Sequence, residues 1–259
     1  MTTNQIARIH NQLRAALAAQ LDAHPVADFT CFFNPDDDST WSNAAIPNHS
    51  ESGRDVVGIQ QMIDTFFTHS RTPNLEYIAE FAPDLADALE THGFIRNETA
   101  PLMACTRKTF TAAKNIVYLQ ISVVDDMIAM QSVVTIQRRS FGSPDAPAAT
   151  AAEAEEARNR FHANSFYVAK LNGEPAAAGS LQLPYNGIAE VSGIATLPDY
   201  RRRGIASAIT STIAQQAFDN GLDTLFIMAA DQNVRRIYAR LGFEDCGTVL
   251  TYSKQINDS

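Results

Sequence analysis

Apolar residues recur along this chain with two distinct periods. Ile6, Ile9, Leu13, Leu17 and Leu21 fall three or four apart and predict an amphipathic opening helix. Ile59, Met62, Ile63, Phe66 and Phe67 predict a second helix. Between them, Asp28 to Phe33 reads as a strand followed by a turn at Pro35 to Ser39. Leu75 to Phe81 predicts a strand. A short helix then starts near Pro83 and stops at Gly93. Phe94 to Thr106 predicts two short strand pieces broken at Pro101.

The second half repeats this alternation. Asn115 to Val124 predicts a strand, Asp125 to Arg139 a helix, and Ser140 to Thr150 a loop. A Glu-rich helix follows over Ala151 to His162. Strands at Phe166 to Leu171 and Ala176 to Leu183 are joined by Asn172-Gly173, a hairpin signal. Ile188 to Thr196 is a further strand. A helix from about Gly204 to Asn220, a strand over Leu222 to Ala229, a helix over Val234 to Leu241 and final strands over Phe243 to Lys254 complete the chain. Strands and helices interleaved in this way predict a mixed α/β layer of the α+β class.

Shifting the chain against itself by 149 residues aligns two segments without a gap. Leu75 to Ile78 falls on Thr224 to Ile227, and His92-Gly93-Phe94 falls on Leu241-Gly242-Phe243. Strand, helix and Gly-Phe recur in the same order, which predicts a partial duplication. The expected division is a degenerate N-terminal module over 1–110 and a second domain over 114–259. Under the same shift Gly204 falls on Asp55. An acid at a helix N-terminus suits the helix dipole but repels a phosphate, so one anion site is expected, not two.

Composition narrows the class. Of 259 residues 45% are hydrophobic and 19% charged, as in globular proteins, and the net charge is −9. An acidic chain is a poor candidate for nucleic acid or an anionic membrane, and no apolar run reaches a spanning length. Cys31, Cys105 and Cys246 form no CxxC pair or disulfide framework, which predicts reduced thiols and a cytoplasmic protein. The six histidines are scattered without ligand spacing, so no metal site is expected. A monomer or a homodimer is equally compatible.

The most informative chemistry lies at Arg201-Arg202-Arg203-Gly204-Ile205-Ala206. A strand ends near Thr196, Pro198 stops sheet pairing, and a helix begins at Gly204. A helix N-terminus offers unpaired N–H groups and partial positive charge, and a glycine there lets an anion approach the backbone. The segment therefore reads as a diphosphate site with arginines around it. Gly193, in mid-strand, predicts either a bulge that splays this strand from Leu222 to Ala229 or a small residue fitted under a helix.

From Lys114 to Lys254 the chain resembles the GNAT family of acyl-CoA N-acyltransferases, most sharply over Glu190 to Ala206 and Asp231 to Phe243. The whole-chain layout resembles tandem members with a degenerate N-terminal copy. The resemblance implies the acyl-CoA N-acyltransferase fold and acetyl-CoA as cosubstrate. Ile194, Ala195 and Thr196 match the strand that pairs with the pantetheine arm. Arg201, Arg202, Arg203, Gly204, Ile205, Ala206 and Ser207 match the diphosphate loop. Tyr238 matches the residue that protonates the leaving thiolate, and Glu190 is placed to accept the amine proton through water. A backbone N–H near Ala195 would serve the oxyanion. Asp231 stands where the family commonly has Asn, which puts that cofactor contact in doubt. The implied activity is acetyl transfer to a primary amine of a small molecule or peptide, by direct attack in a ternary complex. A non-catalytic acyl-CoA-binding or regulatory module is the alternative.

Overall fold

The computed structural model describes residues 3–255 of the chain. Its first half runs α1 (Thr3–Ala18), β1 (Asp22–Val26), β2 (Phe29–Phe33), β3 (Ala44–Pro47), α2 (Val56–Thr68), β4 (Asn74–Ile78), α3 (Leu85–Thr91) and β5 (Ile95–Thr106). The second half runs β6 (Leu119–Val123), α4 (Met127–Phe141), α5 (Ala151–Arg160), β7 (Ser165–Leu171), β8 (Glu174–Leu181), β9 (Ile188–Thr196), α6 (Ile205–Asp219), β10 (Thr224–Met228), α7 (Gln232–Ala239) and β11 (Glu244–Ser253). After β6 and α4, the order helix, three strands, helix, strand, helix, strand repeats that of the first half. The α2 and α6 helices begin 149 residues apart, as do β5 and β11.

The described residues form two compact units. One holds the chain up to Leu102, Met228–Asp231 and the residues from Asp245 on. The other holds Met103–Ile227 and Gln232–Glu244. Thus β11 belongs with the N-terminal residues, where it pairs antiparallel with β4 in the register Leu250 to Tyr77 and Tyr252 to Leu75.

In the first unit β1, β2 and β3 form an antiparallel meander, and β3 meets β4 in parallel. The apolar face of α2 (Ile59, Met62, Ile63, Phe66) packs with Phe29, Leu75, Tyr77, Leu85, Leu89 and Tyr252. Alternation on the strands and a three-to-four spacing on α2 place these side chains on facing surfaces. Two expectations change here. β1 is an edge strand with a mostly exposed pattern, so it leaves no apolar signature. β5 is one strand, not two pieces. Pro101 lacks a donor, but its carbonyl still accepts the N–H of Ala229 at 3.0 Å, so the ladder continues past it.

In the second unit β6, β7, β8 and β9 are antiparallel neighbours and β10 joins β9 in parallel. Leu171 and Glu174 pair across the two-residue turn Asn172-Gly173, as expected. The strand expected from Asn115 begins only at Leu119, after Tyr118 takes a positive φ of 62°. The two faces of this sheet carry different helices. Ala178 and Ala195 pack with Met130, Val133 and Ile136 of α4 and Ala154 of α5. A β-carbon on Gly179, the next residue, would point at Ile194 and at Ile209 and Ile213 of α6. Asp126 caps α4 by accepting from the N–H of Ala129 at 2.7 Å, and Thr150 with Glu153 forms a capping box on α5. Among the described residues no helix is long and apolar enough to cross a membrane. The three cysteine thiols are free, and burial pushes Cys31 up to about 12 and Cys105 to about 11.

Candidate active site

The strand β9 carries the first half of the site. It pairs with β10 only at Ile188, Ala189 and Glu190, opposite Thr224, Leu225 and Phe226. On its other side the register with β8 slips between Ala178–Ala195 and Ser180–Ser192, leaving an extra residue on β9. Gly193 sits in this slip with φ +60°, a conformation that costs any side-chain-bearing residue. Gln137 of α4 donates its side-chain N–H to the Gly193 carbonyl at 3.1 Å, so the bulge is held from the α4 face. The expected bulge is present, and pairing with β10 ends before it.

Ser180, Gln182, Glu190 and Ser192 share the sheet face that carries α4 and α5, by alternation from the paired residues. Gln182 donates to the Ser192 hydroxyl at 2.9 Å, and Ser180 and Ser192 hydroxyls lie 2.9 Å apart. Glu190 therefore sits in a polar stripe beside the bulge, half-buried.

The turn after β9 carries the second half. Arg201 donates to the carbonyl of Thr196 at 3.0 Å and reaches that of Ser140 at 3.5 Å, tying the turn to the ends of β9 and α4. Arg202 adopts φ +61°, and the Arg203 guanidinium lies over the Tyr200 ring, 5.7 Å from its centre. Gly204 then takes φ +79° and occupies the cap position of α6 without any side-chain hydrogen bond. The first helical bond joins the N–H of Ala208 to the carbonyl of Gly204 at 3.0 Å. The N–H groups of Ile205, Ala206 and Ser207 precede any intrahelical donor position and face outward from the turn.

These pieces line a cleft of about 540 Å³. Its walls include Ile194, Ala195 and Thr196 of β9, Arg201, Arg202 and Gly204 to Ser207 of the turn and α6, and Val234, Ile237 and Arg240 of α7 and its end. Ser140 and Phe141 close it from α4. The structure thus brings together the expected strand residues, the turn and the start of α6. Arg203 lines a neighbouring cavity instead. Tyr238 is buried in α7, 5% exposed, with its ring 6.0 Å from that of Phe243, while its neighbour Ile237 faces the cleft. Burial raises the Tyr238 phenol well above its ordinary value. Asp231 is exposed just before α7. Gln137 and Phe141 escaped the sequence reading. An exposed aromatic at the end of an amphipathic helix was the available signal for Phe141.

The equivalent turn in the first unit is built differently. Asp55, at the position of Gly204, caps α2 by accepting from the N–H of Gly58 at 2.9 Å. Arg54 is engaged by Asp84 at 2.8 Å and Glu51 at 3.0 Å.

A strand that opens at a bulge, followed by an uncapped helix end over a cleft, is an architecture suited to an extended ligand with an anionic group. Residues 130–243 match the acetyltransferase (GNAT) family. Proteins of this family use acetyl-CoA as cosubstrate. The fold of the whole chain is similar to a GCN5-related N-acetyltransferase from Kribbella flavida, with TM-score 0.82, 20% identity, and 97% of this chain and 96% of that one covered. A GCN5-related N-acetyltransferase from Sphaerobacter thermophilus gives TM-score 0.65 at 13% identity, covering 98% and 93% of the two chains. A tandem GNAT protein from the clavulanic acid biosynthesis pathway gives 0.67 at 11% identity, covering 89% and 79%. No curated protein matches the chain. Among the described residues there is no cluster of three or more His, Cys, Asp or Glu able to hold a metal ion.

Proposed function

We propose that this protein transfers an acetyl group from acetyl-CoA to a primary amine by direct attack within a ternary complex. The uncapped N-terminus of α6 at Gly204, opening onto the cleft beside the bulged end of β9, is the observation that carries this reading. Acetyl-CoA supplies an activated thioester and a thiolate leaving group.

The residues of the chain divide the work. The free N–H groups of Ile205, Ala206 and Ser207 receive the diphosphate, where the helix dipole favours negative charge. Arg202 adds charge at the rim, and Arg201 holds the turn in shape through Thr196 and Ser140. Beyond Glu190 the β9 backbone is no longer paired with β10, which leaves Ile194, Ala195 and Thr196 able to bond the pantetheine amides. A backbone N–H near Ala195 stabilises the oxyanion. Glu190 accepts the amine proton through water, and the polar stripe of Ser180, Gln182 and Ser192 carries that water. Tyr238, next to Ile237 of the cleft wall, is assigned the proton transfer to the thiolate on its match to the family's tyrosine; burial keeps its phenol protonated. The first unit contributes no cofactor site, because the Asp55 carboxylate already occupies the corresponding helix end.

Calorimetric titration with acetyl-CoA tests the binding step. One site per chain is expected. Absence of heat and of a thermal shift at millimolar acetyl-CoA overturns the proposal. Thiol release from acetyl-CoA with a broad amine panel tests the chemistry. Binding without release for any amine leaves a binding module instead of an enzyme.

A further inference from the structure

The strand β6 lies at the end of its sheet. It pairs with β7 and, among the described residues, with no other strand. From Asn115 to Val124 ten residues run without a charge, a proline or a glycine. The edge strand of the first unit is guarded by contrast, since β1 carries Asp22, His24 and Pro25. Charges and proline are common devices that stop an edge from pairing with another chain, and β6 has neither. Four large apolar side chains at its ends are exposed: Val117 (72%), Tyr118 (76%), Val123 (46%) and, in the first turn of α4, Ile128 (75%).

The backbone of β6 shows which groups are open. The carbonyl of Tyr118 accepts the N–H of Asn172 at 3.1 Å, and Val124 donates its N–H to the carbonyl of Phe166 at 2.8 Å. Main-chain bonds alternate along an antiparallel pair, so Gln120 and Ser122 also bond toward β7. Leu119, Ile121 and Val123 turn their N–H and C=O groups away from it. The N–H of Leu119 is taken by the carbonyl of Ile116 at 3.2 Å. The N–H groups of Ile121 and Val123 and the carbonyls of Leu119 and Ile121 therefore lie open along the edge. This set is symmetric about Ile121.

We infer that a second copy of this chain pairs with the edge, β6 against β6 in antiparallel, around a twofold axis at Ile121. There the two Ile121 residues bond each other through N–H and C=O, and each Val123 donates to Leu119 of the other copy. Leu119 faces Val123 on one side of the joined strands and Gln120 faces Ser122 on the other, so no like charges meet. The flanking charges fix the direction. Lys114 stands exposed before the uncharged run, and Asp125 stands exposed after it. An antiparallel pair brings the Lys114 end of each copy to the Asp125 end of the other, whereas a parallel pair sets like charges together. The twofold pair is closed and leaves this edge open in neither copy.

Sedimentation velocity of the full chain over a range of concentrations tests it, and a dimer is expected. Gln120→Lys with Ser122→Lys sets like charges opposite each other across the axis and should raise the dimer dissociation constant at least about tenfold. Gln120→Glu with Ser122→Glu should do the same. Both positions are exposed, so folding should hold, and an equal mixture of the two double variants should recover the dimer. Val123→Pro removes an outward N–H without touching the bonds to β7 and should also weaken the dimer. A native chain that is monomeric at every concentration overturns the inference and leaves the edge to a strand of another protein. A dimer unaffected by either double variant overturns it too, since another surface would then join the copies. So does a mixture that stays monomeric while each variant keeps its native circular dichroism.

Discussion

The carboxylate of Asp55 accepts the N–H of Gly58 at 2.9 Å, closing the helix end that lies 149 residues before the open one at Gly204. Asp55→Ala should cost about 1 kcal/mol of stability, the usual effect of losing an N-cap. Acetyl-CoA affinity should stay unchanged. Urea unfolding followed beside calorimetry checks both, and a gain of a second binding site would show that the cap alone had silenced this copy.

Gly204 should tolerate neither a larger nor a negatively charged side chain. Its β-carbon position is uncrowded, with Ile116 3.6 Å away, so the backbone sets the cost. At φ +79° an alanine is strained by about 1 kcal/mol. Gly204→Ala is expected to weaken acetyl-CoA binding modestly, and Gly204→Glu to abolish it through charge. Unchanged affinity in Gly204→Glu would remove the diphosphate assignment.

The bulge at Gly193 should matter more for turnover than for folding. An alanine there is strained at φ +60°, and its β-carbon would fall 2.5 Å from the Gln137 amide nitrogen. That nitrogen sits at the end of a flexible side chain and can move, so the stability cost should stay near 1–2 kcal/mol. The lost bond to the Gly193 carbonyl would loosen the opened strand. Gln137→Ala should lower kcat/KM in the same direction, and steady-state kinetics of both variants decide the point.

Glu190→Gln and Tyr238→Phe separate chemistry from packing. Each keeps the shape of its side chain. If the two residues move protons, each change should reduce kcat by roughly 10²- to 10⁴-fold while acetyl-CoA affinity holds. For Glu190→Gln the loss should shrink as pH rises and free amine accumulates. A fully active Tyr238→Phe protein would mean that the tyrosine only packs against Phe243.

His10 should make the first unit sensitive to acid. Its ring is buried and stacked 3.7 Å from Phe81, and it donates to the Pro47 carbonyl at 2.7 Å. Burial lowers its pKa from 6.5 to about 4, with the Arg14 charge acting the same way and the Pro47 bond opposing. Above about pH 6.5 the ring is neutral folded and unfolded, so it has no effect. Between 6.5 and about 4 only the unfolded ring takes a proton, and stability falls as pH falls, by up to ~3 kcal/mol. His10→Phe should lower stability at neutral pH by leaving Pro47 unpaired, yet flatten this slope. Chemical denaturation from pH 7 to 4 measures both.

Local features were legible in the sequence because their causes lie within a few residues. The Asn172-Gly173 hairpin, the helix start at Gly204 and the exchange of Gly204 for Asp55 follow from backbone sterics and the unpaired N–H groups of a helix end. The period of apolar residues gave α2, and the expected bounds of α6 and β9 lie close to the observed ones. Tertiary structure decided the rest. Asp22 to Val26 becomes a strand only because Phe29 to Phe33 pairs with it, and Pro101 stays in β5 because its carbonyl, not its missing N–H, meets Ala229. The pairing of β11 with β4, the hold of Gln137 on Gly193 and the burial of Tyr238 join residues far apart in the chain. Such contacts depend on how strands and helices distant in sequence pack within each unit, and no local propensity encodes them.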